Sequence, residues 1–304
     1  MTLTGMTLPG MTPSGDSVLT LVSRDADAVA MAATIPARAA AVSDRSAAGW
    51  SVAEIGVHKD REIIGWLETE APARGADWAI MPHANRRKRL LISDMDSTII
   101  GQECLDELAD FAGLKAEVSA ITERAMRGEL DFAQALVQRV AMLKGLKLDA
   151  LDACHRERVR LNPGARELVA TMKAHGARTV LVSGGFRYFT SRVAAMAGFD
   201  ADRANTLLDD GATLTGEVER PILGREAKLA ALQEETAALG LTADDALALG
   251  DGANDLDMIR ASGLGIAYKA KPIVAAETLA RIEHTDLRAA LFFQGYGVGE
   301  IVSA

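Results

Sequence analysis

Two pairs of aspartates stand directly after two short apolar runs of the sequence. Asp94 and Asp96 form the first pair, and Asp251 and Asp255 form the second. Carboxylates two residues apart repel each other, and a bound cation relieves that cost. Because clustered oxygen ligands suit Mg²⁺, the pattern predicts a magnesium site that includes a phosphate oxygen of a substrate. Asp251 is placed to be a direct ligand and Asp255 to hold a bound water. For either pair taken singly, a solvated loop is the alternative.

A hydroxyl, two glycines and a lysine add groups that can hold a phosphate. Ser183, Gly184 and Gly185 follow a third apolar run. Glycines let backbone N–H groups approach a phosphate closely, and the next helix points its positive end towards it. Lys228 supplies the fixed cation that a transferring phosphoryl group requires. Taken singly, the glycines also fit an ordinary tight turn, and the lysine fits an exposed helix position.

The elements that must bring these groups together alternate along the chain. Four apolar runs have the length of strands buried on both faces, and helical patterns separate them. The strands are predicted at residues 90–92, 179–182, 246–249 and 264–267. Strands alternating with helices indicate a parallel sheet, and ligands bind at the carboxyl ends of such strands. The strand-end groups are therefore expected to converge on one edge of the sheet.

We predict an α/β protein with three parts. Residues 1–16 form a disordered tail, residues 17–85 a small α+β domain, and residues 86–304 a domain built on a Rossmann-like parallel sheet. A mostly helical insertion, about residues 103–160, follows the first strand of that sheet. It is too long for a simple crossover, so we predict that it forms a cap. Turn signals within residues 205–221 predict a small β excursion.

The predicted N-terminal domain has only a weak hydrophobic pattern. Val18–Val22 is strand-like, and Val52–Val57 and Ile63–Leu67 are further short apolar runs. The segment contains no recognisable set of chemically active residues. We interpret it as a regulatory or packing domain.

The composition disfavours several classes of protein. With 49% hydrophobic and 25% charged residues, the 304-residue chain has the profile of a globular protein with a sizeable core. Its net charge of −9 disfavours nucleic acid and anionic membranes as partners. The basic run at residues 86–89 is interpreted as a solvated linker flank. We expect no signal peptide, and two cysteines, Cys104 and Cys154, fit a reducing cytoplasm.

Four segments resemble the motifs of the haloacid dehalogenase (HAD) superfamily and, within it, of the phosphoserine phosphatases. They are DMDST at residues 94–98, SGGF at residues 183–186, Lys228, and GDGAND at residues 250–255. Signals particular to the phosphoserine phosphatases are residues 103–109, 129–132 and 139–140. The resemblance runs from about residue 89 to residue 291. It implies hydrolysis of O-phospho-L-serine to L-serine and phosphate, the last step of L-serine biosynthesis.

The resemblance also implies roles for the strand-end groups. Asp94 would be the nucleophile that forms an aspartyl-phosphate, and Asp96 would act as general acid and then as base. The cofactor Mg²⁺ would bind Asp94, the backbone carbonyl of Asp96 and Asp251. The groups that would hold or orient the phosphoryl group are Ser183, the Gly184 amide, Lys228 and Asn254.

Substrate choice would come from the insertion. Glu103 matches the family position that binds an ammonium group, and Arg139 matches the position that binds a carboxylate. Met126 and Phe132 match apolar positions that close over the substrate and exclude water. The alternatives are an ordinary first-turn acid for Glu103, a surface charge for Arg139, and core packing for the two apolar residues.

Other functions remain open at this point. One is a HAD phosphatase or phosphotransferase that acts on another small phosphorylated metabolite, such as phosphohomoserine. A catalytically idle amino-acid sensor would lack Asp94, Asp96 or Lys228, and all three are present. We expect a small-molecule substrate, no nucleic acid or membrane partner, and leave a homodimer open.

Overall fold

The computed structural model describes residues 16–35, 42–126 and 129–303, without the side chains of residues 123, 125 and 126. Apart from Asp16, the predicted disordered tail lies outside the described residues. Within the described part, no helix combines the length and the apolar character needed to cross a membrane.

Twelve strands are described. They are β1 (Ser17–Ser23), β2 (Ser43–Asp44), β3 (Ser51–Val57), β4 (Asp77–Pro82), β5 (Leu90–Ser93), β6 (Arg178–Phe186), β7 (Ala201–Asn205), β8 (Leu207–Asp209), β9 (Leu214–Val218), β10 (Ala246–Gly250), β11 (Leu264–Tyr268) and β12 (Ala280–Ile282). The four strands predicted for the parallel sheet correspond to β5, β6, β10 and β11.

Twelve α-helices lie in the same described residues. They are α1 (Ala28–Ala32), α2 (Arg61–Ala73), α3 (Cys104–Phe111), α4 (Lys115–Met126), α5 (Phe132–Met142), α6 (Leu148–Arg158), α7 (Ala165–Ala174), α8 (Arg187–Ala197), α9 (Arg225–Ala238), α10 (Leu256–Ala261), α11 (Pro272–Ala275) and α12 (Ala289–Phe293).

Ten strands form one sheet in the order β2-β3-β1-β4-β12-β11-β10-β5-β6-β7. From β12 to β7, every neighbouring pair is parallel. This half of the sheet confirms the predicted Rossmann-like fold. Every residue of β5 and β10 is buried, which explains why both strands appear in the sequence as continuous apolar runs.

The long connection between β5 and β6 contains the four helices α3 to α6. Leu108, Leu136 and Cys154, one from each of α3, α5 and α6, are buried in the same hydrophobic cluster as Leu91 of β5. The hairpin of β8 and β9, where the β excursion was predicted, packs against α5. The insertion therefore rests on the sheet edge where β5 ends.

The N-terminal strands are continuous with the parallel sheet. β4 pairs antiparallel with β12, with Ala79 opposite Ala280 and Trp78 opposite Arg281. The division at residue 85 stays a prediction, but the main-chain hydrogen bonds of one sheet cross it. The run Ile63–Leu67 lies within helix α2, where Ile63, Leu67 and Ala71 are buried at helical spacing.

The basic run at residues 86–89 is only in part the solvated flank that we predicted, since Arg87 and Arg89 are exposed but Arg86 and Lys88 are not. Arg86 donates to Glu54 Oε1 at 2.7 Å and to the carbonyl of Phe293 at 3.0 Å. Lys88 is buried, with its ammonium 2.8 Å from the carbonyl of Asp244. The run therefore joins the N-terminal strands to the rest of the protein through hydrogen bonds and the partly buried ion pair of Arg86 with Glu54.

A buried carboxylate makes a second connection between these regions. Asp77, at the start of β4, is 1% exposed. Its Oδ1 accepts from the amides of Glu283 and His284 at 2.7 and 2.9 Å, and its Oδ2 accepts from the amide of Thr285 at 2.8 Å and from the Thr285 hydroxyl. The buried carboxylate thus accepts from three consecutive amides, of which that of Thr285 is buried, and from the buried Thr285 hydroxyl.

We predict that Asp77→Ala lowers the free energy of unfolding by about 2–4 kcal/mol, because four donors lose their acceptor and the two of Thr285 are buried. Urea denaturation followed by circular dichroism measures this change. Asp25→Ala, at an exposed aspartate of the same region, is the control and should change the free energy by less than about 0.5 kcal/mol. Equal effects of the two substitutions would contradict the prediction.

Candidate active site

A buried ammonium group and two buried carboxylates form the floor of the candidate site. Lys228 is 1%, Asp94 5% and Asp255 0% exposed. The Nζ of Lys228 donates to Oδ1 of Asp94 at 2.5 Å and also to Oδ1 of Asp255. The second oxygen of Asp255 accepts from the amide of Gly252 at 3.0 Å. Lys228, which taken singly fitted an exposed helix position, is therefore a central residue of this site.

The electrostatics of the floor favour retention of the proton on Lys228. Burial lowers the pKa of Lys228, but Asp94 and Asp255 outweigh that effect and raise it above its usual value. Burial and the charge of Asp255 raise the pKa of Asp94 well above its usual range, against the effect of Lys228. The three groups carry a net charge of about −1 when all are ionised, which favours a further cation nearby.

Strand pairing positions the two carboxylates. Asp94 directly follows β5, and its amide donates to the carbonyl of Leu249 on β10 at 3.0 Å. Gly250 ends β10, and a side chain there would collide with the carboxyl group of Asp255. The absence of a side chain at Gly250 therefore lets Asp255 fold back under the end of β10, close to Asp94.

Asp96 lies in the turn that follows β5. Its Oδ1 accepts from the amide of Cys104 at 2.8 Å, and its Oδ2 accepts from the hydroxyl of Ser183 at 3.1 Å. Burial, followed by the negative charge of Glu103, raises its pKa to about 6. A carboxyl group with that pKa can both give and take a proton near neutral pH.

The Ser-Gly-Gly segment lies within β6, which continues to Phe186 rather than ending at Val182 as predicted. The hydroxyl of Ser183 accepts from the amide of Gly185 at 2.8 Å while it donates to Asp96. A Cβ on Gly184 would lie 2.9 Å from Cζ of Phe132. Glycine at this position therefore lets the insertion approach the strand end closely.

The two predicted recognition residues of the insertion lie on the pocket wall. Glu103 is exposed and accepts from the hydroxyl of Ser97 at 2.7 Å. Arg139 is on α5, and its Nε donates to the carbonyl of Ala135 at 3.3 Å. Burial lowers the pKa of Arg139, while Asp106 and Glu103 act in the opposite direction. An anion and a cation thus stand on the same side of the pocket.

These groups surround a cavity of about 150 Å³. The predicted acids that line it are Asp94, Asp96, Glu103 and Asp251. The other predicted residues on its wall are Phe132, Arg139, Ser183, Gly184 and Asn254. Lys228 and Asp255 complete the floor beneath these residues, and Lys228 contacts both Asp94 and Asp255. Met126 ends α4, and its side chain is outside the described part of the chain.

Two lining residues, Leu136 and Lys271, lie outside every segment singled out from the sequence. Leu105 and Gly252 lie within the segments of family resemblance but had no predicted role, and Gly185 was predicted as part of the Ser-Gly-Gly segment. Lys271 follows β11, and its amide donates to the carbonyl of Asp251 at 3.0 Å. The rule that ligands meet the carboxyl ends of parallel strands also applies to β11, so inspection of the residues after that strand would have found Lys271.

The donor set fits a hard divalent cation. Asp94, Asp251 and Asp255 each offer a carboxylate oxygen, and these oxygens lie within 4.8 Å of one another. Burial and the charge of Asp255 raise the pKa of Asp251 to about 6, which reflects a concentration of negative charge. Both oxygens of Asp255 accept hydrogen bonds from protein groups. The role of Asp255 in holding a metal-bound water stays a prediction.

Comparison with known proteins agrees with this geometry. The sequence profile of the haloacid dehalogenase-like hydrolases matches residues 91–260, which contain β5, the insertion and the strand-end residues of the site. The chain belongs to the haloacid dehalogenase-like hydrolase family. The matched range covers the candidate site except for Lys271.

Similar hydrolases of the family include phosphoserine phosphatases. A phosphoserine phosphatase of Polaromonas sp. is 47% identical over 204 residues, covering 66% of this chain and 86% of that protein. The unliganded structure of a probable phosphoserine phosphatase from Vibrio cholerae has a TM-score of 0.78 at 31% identity and covers 93% of this chain and 88% of that one. The structure of a phospho-aspartyl intermediate analogue of phosphoserine phosphatase has a TM-score of 0.62 at 38% identity, covering 68% of this chain and 99% of that one.

We predict that Asp96→Asn stabilises the metal-free hydrolase at neutral pH. Because the pKa of Asp96 is about 6 in the folded state against an ordinary 3.8, the folded state binds more protons than the unfolded state between these values. The parent therefore loses free energy of unfolding as the pH rises from about 4 to above 6. Asn has no proton to lose, so Asp96→Asn does not undergo this loss. We expect a gain of up to about 3 kcal/mol at pH 7 and almost none near pH 4.

Urea denaturation at both pH values, in the presence of a chelator, measures this difference. The experiment compares Asp96→Asn with Asp149→Asn, at an exposed position of α6. A stability difference that did not depend on pH would contradict the electrostatic explanation.

Proposed function

We propose that the chain is a magnesium-dependent phosphoserine phosphatase that hydrolyses O-phospho-L-serine through an aspartyl-phosphate on Asp94. The observation that carries the proposal is the buried Asp94 carboxylate on the floor of a small pocket, beside Lys228 and within reach of Ser183 and Asp96. The relatives named phosphoserine phosphatase support the choice of substrate. The reaction is the last step of L-serine biosynthesis.

In the first step, an oxygen of Asp94 attacks phosphorus and the bond between phosphorus and the seryl oxygen breaks. Asp96 donates its proton to the departing seryl oxygen, for which a pKa of about 6 is suitable. The amide of Cys104 and the hydroxyl of Ser183 hold the Asp96 carboxyl group in place. The products of this step are serine and a phosphorylated Asp94.

In the second step, water attacks the phosphorus of the aspartyl-phosphate. Asp96, now ionised, takes a proton from that water, and the acyl phosphate bond breaks to release inorganic phosphate and restore Asp94. The same residue thus serves as acid and then as base. This exchange requires a carboxyl group whose pKa lies near the working pH.

The phosphoryl group would be held by Ser183, the Gly184 amide, Lys228 and Asn254. Mg²⁺ would be bound by Asp94, the backbone carbonyl of Asp96 and Asp251, with Asp255 holding a bound water. The chemistry that Mg²⁺ supplies when bound is neutralisation of phosphate charge and stabilisation of the ionised Asp94. The surplus negative charge of the floor supports this assignment.

The amino-acid end of the substrate would lie against the insertion. Glu103 would pair with the ammonium group and Arg139 with the carboxylate, since both line the same pocket. Phe132, which contacts the strand end at Gly184, would close over the substrate together with Met126 and exclude water. The two cysteines are free thiols, so the proposal places the protein in the cytoplasm. A homodimer stays a prediction.

We predict that Asp94→Asn lowers phosphate release from phosphoserine by at least about 10³-fold, because an amide is a poor nucleophile. A colorimetric phosphate assay with Mg²⁺, repeated with a chelator, measures the rate. Asp149→Asn should retain the parental rate. Activity retained by Asp94→Asn would refute the covalent step, and transfer of phosphate to an added alcohol without net release would favour a phosphotransferase.

We predict that Arg139→Ala lowers kcat/KM for phosphoserine by about 30- to 100-fold and leaves p-nitrophenyl phosphate nearly unaffected. The reason is that a charge-assisted hydrogen bond to a carboxylate contributes about 2–3 kcal/mol, and the aryl ester has no carboxylate. Arg156→Ala, at an exposed arginine of α6, is the matched control. Equal losses on both substrates would exclude carboxylate recognition by Arg139.

A further inference from the structure

Lys271 is a pocket residue with no role in the proposed mechanism. It lies between β11 and α11, its side chain lines the pocket, and it is exposed. Its backbone amide donates to the carbonyl of Asp251, and the amide of Lys269 donates to the carbonyl of Ile282 at 2.7 Å. The lysine is therefore carried by a segment that main-chain hydrogen bonds fix on both sides.

The charges on the pocket wall are unbalanced. The described lining residues include four acids, Asp94, Asp96, Glu103 and Asp251, but only two cations, Arg139 and Lys271. Lys228 is buried and already shared between two carboxylates. The charge of a bound Mg²⁺ would offset this excess of two negative charges but would leave no surplus of positive charge, so a cation at the surface still favours the entry of a phosphate dianion.

The two surface cations face different groups. The negative charges of Asp106 and Glu103 act to raise the pKa of Arg139. These residues belong to the insertion, where the ammonium and carboxylate of an amino acid would lie. Lys271 instead lies beside Asp251, because its amide donates to the Asp251 carbonyl, and its charge acts to lower the pKa of Asp251. Asp251 is at the end of the pocket where the phosphate would lie. Within the described residues, Lys271 forms no ion pair, so its ammonium is free to bind an anion.

We propose that Lys271 captures the phosphate group of the incoming ester at the pocket mouth and binds the inorganic phosphate product as it leaves. The inference rests on the proposed phosphatase function and adds a phosphate-binding residue to it. A lysine is suited to this task because its ammonium is a compact charge on a long flexible stem, which can follow a phosphate over several ångströms. The contact is made with the phosphate alone, so it is independent of the alcohol part of the ester.

The test compares Lys271→Ala and Lys271→Arg with the parent on phosphoserine and on p-nitrophenyl phosphate, with inorganic phosphate as inhibitor. We expect Lys271→Ala to lower kcat/KM by about tenfold on both esters and to raise the inhibition constant of phosphate by a similar factor, with kcat changed less than twofold. Lys271→Arg should restore most of the loss. Lys269→Ala, an exposed lysine that lines another cavity, should match the parent.

Ionic strength provides a second measurement that a purely structural role would not change. Between about 10 and 100 mM salt, the screening length falls from about 30 to about 10 Å. The ratio of the kcat/KM of the parent to that of Lys271→Ala should therefore decrease over this range, because salt screens the attraction that Lys271 supplies, whereas the ratio of the parent to Lys269→Ala should stay constant. The same salt dependence in all three proteins would overturn the capture role.

Other outcomes also decide against the proposal. A loss confined to phosphoserine would assign Lys271 to the substrate carboxylate, and a loss in kcat alone would assign it to the chemical step.

If the parent hydrolyses p-nitrophenyl phosphate but not phosphoserine, the proposed substrate is wrong, and the comparison on the aryl ester still tests Lys271. If neither ester is hydrolysed, calorimetric titration of inorganic phosphate in the presence of Mg²⁺ decides, since unchanged affinity in Lys271→Ala refutes the proposal.

Discussion

The structure of the site depends on the buried contact between Lys228 and two carboxylates. An ammonium group that is 1% exposed would be strongly unfavourable without partners, and Asp94 and Asp255 supply them. Removal of one member would leave an uncompensated charge in the core. The same contact leaves the floor with surplus negative charge and holds the Asp94 carboxylate in one orientation, so the stability of this region and its capacity to bind a cation have a common origin.

Three separate elements supply this contact, and the sheet fixes their positions. Asp94 follows β5, Asp255 follows β10, and Lys228 is on α9. The two strands pair in parallel with Leu91 opposite Leu247, and a shift of that register by one residue would turn the side chains at the strand ends to the opposite faces. The apolar residues of the strands therefore determine the geometry of the charged residues that follow them.

Local sequence patterns predicted four strands of the parallel sheet, β5, β6, β10 and β11, because each contains an apolar run, and the strand-end rule brought Asp94, Ser183 and Asp251 together. The edge strand β7 and the three-residue strand β12 have no such run and were not predicted. The pairing of β4 with β12 was not predictable in the same way. It joins residues about 200 positions apart, and neither strand carries a signal for its neighbour. Ile63–Leu67 was left without an assigned element because a run of five residues does not distinguish a strand from one face of a helix. Lys271 was missed because the strand-end rule was not applied to the residues after β11, and an exposed lysine in a loop has no further local signal of function.

None of the residues of the N-terminal strands lines the pocket. These strands instead support the segment that carries the lining residue Lys271. Lys271 lies between β11 and β12, and β12 is held on its other side by β4 and beyond its end by Asp77. Without β4, the three-residue strand β12 would keep only its short pairing with β11. Such a strand has too few hydrogen bonds to stay in place alone. The N-terminal region thus supports the segment that carries Lys271, which gives it a structural function independent of any ligand that it binds.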